Sequence, residues 1–115
     1  MIRPIVHILL HLIVPGAVAR AVFPSRWKFA WLIMVLTLLV DLDHLLANPI
    51  YDPNRCSLGY HPLHSLPAVA LYGLAVAVPA LRIAAVGLLL HMGLDGLDCI
   101  WMRLERAGTV VGSLP

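Results

Sequence analysis

Most of this chain consists of apolar stretches about as long as a bilayer core is thick, and its potential metal ligands lie inside those stretches or at their mouths. They are His7, His11, Asp41, Asp43, His44, His61, His64, His91 and Asp95. An ionisable side chain in a membrane span costs several kcal/mol unless it is paired or coordinated, so a cluster of them is first read as a functional site. The 115 residues make one domain, 61% hydrophobic and only 12% charged, against about a quarter charged in soluble domains. An integral membrane protein is expected, located in a bacterial inner (cytoplasmic) membrane. The net charge of +2 is small and its basic residues are scattered, which excludes a nucleic-acid footprint of the usual clustered kind.

Four spans of about 20 residues fit a core of about 30 Å. They run roughly over 2–22, 27–47, 61–81 and 83–104, and predict an all-α bundle of four transmembrane helices as a single domain over 1–115. The first segment has the basic residue and apolar run of a secretory signal, but His7 and His11 interrupt it, so it is read as a retained helix. One long polar stretch, NPIYDPNRCSLGYHP, separates the second and third spans and carries turn residues throughout. The other connections are short, which favours up-down antiparallel neighbours. Pro15 and Gly16 are expected to kink the first helix. Gly73, Gly87, Gly93 and Gly96 are expected at close helix approaches, and Trp27, Trp31 and Trp101 near span ends. The tail after Glu105 carries little helical signal and is expected to fray.

An up-down arrangement brings the start of the first span, the end of the second, the start of the third and the later part of the fourth to one side of the membrane. The polar groups fall on that side. They also pair at i, i+3 or i, i+4: His7 with His11, Asp41 with His44, His61 with His64, His91 with Asp95. Such pairs share a helix face, and di-metal carboxylate bundles build their centres from similar inward pairs. Asp43 is turned about 200° from Asp41 on an α-helix. Both reach one centre only if the helix end departs from α geometry or a second metal is present. Asp98 continues the stripe of His91 and Asp95 and is placed to orient an imidazole. The alternative for the ensemble is a set of interhelical hydrogen bonds, which would need only two or three such groups, whereas all six histidines belong to the cluster.

Asp41-Leu-Asp43-His44 at the end of one span, His61-Pro-Leu-His64-Ser65 opening the next, and His91-Met-Gly-Leu-Asp95 in the last resemble the YdjM-like membrane-bound metal-dependent hydrolases. That family is distantly similar to zinc-dependent phospholipase C. The resemblance covers most of the chain and implies metal-binding roles for His11, Asp41, Asp43, His44, His61, His64, His91 and Asp95. Pro62 and Leu63 stand where the family has a basic residue and a threonine, and the chain is shorter, which leaves the substrate open.

Mixed imidazole and carboxylate ligands suit zinc first, with iron or manganese as alternatives. Two or three ions are expected, with Asp43 or Asp98 left as general base. The reading is a metal-dependent hydrolase, a phosphoesterase acting on a lipid or interfacial substrate, with Arg55 holding a phosphate and Ser65, Ser57 and Tyr60 supplying hydrogen bonds. Arg55 also reads as a headgroup-level anchor and Tyr60 as an interfacial aromatic. A transition-metal or proton transporter is the alternative class, although the ligands gather toward one leaflet. A haem protein with two axial histidines is the third. Four short helices leave enough surface for a homodimer. Cys56 and Cys99 fall on the site side, as a disulfide, as soft ligands or as unpaired thiols. Four basic residues lie on each side, so charge bias leaves orientation open.

Overall fold

The computed structural model describes residues 2–112, and among the described residues every regular element is helical. Helix α1 covers Ile2–Val22, a 3₁₀ turn Pro24–Arg26 leads into α2 at Trp27–Leu36, and the chain continues as a 3₁₀ helix over Thr37–Leu46. After the loop 47–61, a 3₁₀ turn at Pro62–His64 precedes α3, Leu66–Ala75; α4 covers Arg82–Gly112. Three helical segments, Ile2–Val22, Pro24–Leu46 and Arg82–Gly108, are long and apolar enough to cross a membrane.

The third expected span is not a full one. Its α-helix has ten residues, about 15 Å of rise against about 30 Å of hydrocarbon. Pro67 falls in its first turn and turns follow from residue 76. The C-terminal segment departs in the other direction. Helix α4 runs on through the expected frayed tail to Gly112, while residues 113–115 lie outside the described part.

Helices α1, α2 and α4 pack against one another, and α3 packs chiefly on α4. One half of the bundle is an ordinary apolar core of Ala19, Ala30, Met34 and Ile83, with Phe23, Trp27 and Leu90 around it. Close approach of α2 and α4 depends on Gly87, where an added Cβ would lie 2.9 Å from Met34 Cα. Gly96 meets Leu58. Gly73 and Gly93, expected at close approaches, have open space at the Cβ position. Pro15 is buried within an unbroken α1, and Trp31 Nε1 on α2 donates to the Leu12 carbonyl at 2.9 Å. The carbonyl that Pro15 leaves without its helical donor is that of His11, one residue earlier in the same turn. Leu39, Leu42 and Leu45 form an exposed stripe on the 3₁₀ segment, the side a lipid or a partner would cover.

The 3₁₀ segment positions the site. Its winding begins at Thr37, whose hydroxyl donates to the Met34 carbonyl three residues back, a local bond that competes with the α pattern. Ten residues is long for a 3₁₀ helix, since runs beyond three or four are uncommon and often mark functional segments. Three residues per turn place Asp41 directly over His44 and turn Asp43 to a different face.

Candidate metal centre

The other half of the bundle holds the polar groups, in three sets, two of which share Asp95; within each set the ligand atoms lie within 4.8 Å of one another. The innermost set is Asp41, His64, His91 and Asp95. His64 Nε2 lies 3.2 Å from Asp41 Oδ1, 3.1 Å from Asp95 Oδ2 and 3.3 Å from His91 Nε2. His91 Nε2 lies 3.1 Å from Asp41 Oδ1 and 3.3 Å from Asp95 Oδ2. A tetrahedral ion with bonds of ~2.0 Å has ligand-to-ligand edges of about 3.3 Å. Five edges of the set match that figure to within 0.2 Å.

Local bonds fix which ring nitrogens face inward. His64 Nδ1 lies 2.9 Å from Asp43 Oδ2, which also accepts the Leu63 N–H at 2.9 Å. Asp43 therefore holds the ring by its far side, as carboxylates behind metal-bound imidazoles do, and directs Nε2 to the centre. His11 Nδ1 lies 2.8 Å from the His7 carbonyl. A carbonyl only accepts, so Nδ1 carries the proton and Nε2 keeps its lone pair. Three buried atoms, His11 Nε2, His91 Nδ1 and Asp95 Oδ2, have no hydrogen-bond partner among the described residues. A buried carboxylate oxygen packed against imidazole nitrogens without an aligned hydrogen bond gains free energy when a cation is bound between them. The residues thus fit a metal ion by donor type, spacing and unsatisfied polarity.

The second set is His7, His11 and Asp95. Asp95 is shared, since its Oδ1 lies 3.3 Å from His7 Nε2 and 3.4 Å from His11 Nε2 while its Oδ2 faces the inner set. The third set is Asp43, His44 and His61. His44 Nδ1 lies 3.0 Å from the Asp41 carbonyl and 3.1 Å from Asp43 Oδ1, and its Nε2 lies 3.2 Å from Ser57 Oγ. The His44 and His61 rings are 3.8 Å apart. Burial, with the His44 ring beside it, holds His61 below the usual imidazole range, which keeps it neutral as a ligand must be. All nine expected ligands thus come together, and the Asp41/Asp43 divergence is resolved by sets on two faces of one 3₁₀ helix.

Above these groups lies a cavity of about 190 Å³, bounded by Arg3, His7, His44, Arg55, Ser57, His61 and Asp98 among others. The loop 47–61 roofs it. Cys56 and Cys99 form a disulfide, Cα to Cα 5.2 Å, that fastens the loop to α4. Arg3 Nη2 donates to the Pro53 carbonyl at 2.6 Å, and Arg106 donates to the Asn54 carbonyl. Arg55 borders the cavity as expected; its Nη2 donates to the Pro49 and Ile50 carbonyls and its guanidinium lies over the Tyr60 ring. Ser65 does not border it. Its hydroxyl donates to the Pro62 carbonyl and accepts the Ala68 N–H, capping α3.

Asp98 Oδ2 accepts from Arg3 Nη1 at 2.9 Å, and its Oδ1 lies 3.8 Å from His7 Nδ1. Arg3 is a site residue that the ligand pattern alone does not name. The signal was available: Arg3, His7 and His11 repeat at i+4 along α1, opposite Asp98 and Asp95 on α4.

Fold and site define an all-helical protein with three helices able to cross a membrane and a buried His/Asp cluster able to hold metal. The chain belongs to a family of unknown function, DUF6122, whose model matches residues 1–102 and so takes in every residue of the three sets. No curated protein and no solved structure matches it.

Proposed function

We propose that the protein is a membrane-embedded metal-dependent hydrolase, a phosphoesterase drawing a phosphate-bearing amphiphile from the bilayer surface. The observation that carries this reading is the run of three ligand sets, the inner one at tetrahedral spacing and the outer two reaching a cavity walled by Arg3, Arg55, Asp52 and Asp98 among others. The YdjM-like sequence pattern agrees with it. Mixed imidazole and carboxylate ligands favour zinc over the hard cations. When bound, such ions supply Lewis acidity and lower the pKa of coordinated water.

The chain's own residues would do the rest. Arg3 on the cavity wall is paired with Asp98, and Arg55, whose partners are backbone carbonyls, is the wall cation that would meet a phosphoryl group. Ser57 orients the His44 ring. Asp43 lies behind His64 and serves to position it. Asp98 borders the cavity and is held by Arg3, so it is the carboxylate placed to accept a proton on the substrate side. The disulfide favours a cavity that opens on the oxidising side of the membrane, a choice that four basic residues on either side leave undecided.

Elemental analysis of detergent-purified protein, paired with hydrolysis of a short-chain phosphatidic acid, tests the reading. Stoichiometric transition metal, lost together with hydrolysis in His44→Ala and His91→Ala, is expected. Metal-free protein, or unchanged metal content in both variants, would overturn it.

A further inference from the structure

The three ligand sets differ in what they leave open. The inner set offers four protein ligands, and His64, His91 and Asp95 are each at most 4% exposed. None of its four residues borders the cavity. Asp41 has an exposed outer edge, but its Oδ1 is turned to both imidazoles. Each outer set offers three ligands, and each places at least one of them on the cavity wall: His7 in one, His44 and His61 in the other.

Ligand number separates the roles of such sites. Four protein ligands complete a tetrahedron and make a structural site, whereas three leave a position for solvent or substrate. Resting on the metal-binding reading above, we infer that the Asp41/His64/His91/Asp95 set holds a closed structural ion and that the His7/His11/Asp95 and Asp43/His44/His61 sets hold exchangeable ions that face the cavity. Asp95 Oδ2 on the inner side and His11 Nε2 on the outer side are buried and face only other ligand atoms, with no aligned hydrogen bond, as groups that share a cation would.

Connectivity supports the division. The inner set joins the 3₁₀ segment, the turn before α3, and α4, three elements far apart in the sequence. An ion there acts as a cross-link, and its binding energy is folding energy. The outer sets add ligands at the rim of that same scaffold. Asp95, with one oxygen toward each position, ties the α1 set to the inner one.

The test uses full-length protein in detergent, loaded with zinc and treated with increasing chelator, reading metal content by elemental analysis and unfolding by a thermal scan in parallel. Loss in two stages is expected: the first fraction leaves with a small fall in the midpoint, and the last leaves only as the fold melts. Protein loaded with cobalt in place of zinc and carried through the first stage should show a four-coordinate absorption spectrum for the remaining ion that added phosphate does not perturb. His7→Ala and His61→Ala are each expected to lose one equivalent and to lower the midpoint far less than His91→Ala does. Loss of all ions in a single stage, a remaining ion whose spectrum responds to phosphate, or a midpoint drop in His7→Ala and His61→Ala equal to that of His91→Ala would overturn the division. Protein that takes up no zinc at any stage would instead overturn the metal reading itself.

Discussion

His64 touches both faces of the second span: its Nδ1 lies 2.9 Å from Asp43 Oδ2 and its Nε2 lies 3.2 Å from Asp41 Oδ1. One imidazole thereby connects a supporting carboxylate to a ligand-type carboxylate two residues away, which an α-helix would have turned about 200° apart.

That relationship makes Asp43→Asn informative. The amide retains the shape but loses the charge that fixes the His64 ring. Metal affinity is expected to fall about 10- to 100-fold, the usual effect of losing such a support, with the protein still folded. Competition against a zinc indicator measures it, and affinity equal to wild type would show that Asp43 neither orients His64 nor serves the Asp43/His44/His61 set.

Gly87 and Gly93 lie on α4 but face different surroundings. Gly87→Ala would drive a Cβ to within 2.9 Å of the Met34 backbone, one turn from His91. Such overpacking costs about 1–3 kcal/mol and should lower the thermal midpoint together with metal retention. Gly93→Ala meets nothing within 4 Å, so the midpoint should hold or rise. Equal effects at the two positions would contradict the packing described.

Cys56 and Cys99 are 43 residues apart in sequence. Replacing both by serine should lower stability by about 2–4 kcal/mol and loosen the roof of the cavity. In intact cells, thiol alkylation should fail at both cysteines until a reductant is added. Free alkylation before reduction would argue against an oxidising compartment on the site side.

Ser65→Ala separates two roles for one hydroxyl. The capping geometry predicts a stability loss of about 1 kcal/mol with hydrolysis and metal content unchanged. Lost hydrolysis at full stability would assign Ser65 to substrate instead.

Asp98→Asn should keep metal content and abolish hydrolysis, because Asp98 borders the cavity and is absent from the three ligand sets. Metal loss in this variant would make it a ligand or the support of one.

Much of the candidate site was legible in the residues themselves. Histidines and aspartates repeated at helical spacing within apolar segments carry their own signal, because burying them without partners is unfavourable. His7 with His11 and His91 with Asp95 illustrate it. Less legible was α3: the composition of 61–81 suits a span, but Pro67 near its start and the turns after Ala75 leave a helix too short for one. The reach of α4 to Gly112 was missed because the tail's local helical preference is weak.

The sequence by itself determined a helical chain suited to a bilayer and the ligand stock that could meet within it, since hydropathy and i, i+4 periodicity act through neighbours along the chain. Only the tertiary structure decided how that stock divides, with Asp95 shared between two sets, Asp43 placed behind His64, Asp98 held by Arg3 and Ser65 used as a cap. Those assignments depend on 3₁₀ winding after Thr37 and on the approach of α4 to α2 at Gly87. Both arise from contacts and local bonds that no periodic pattern records.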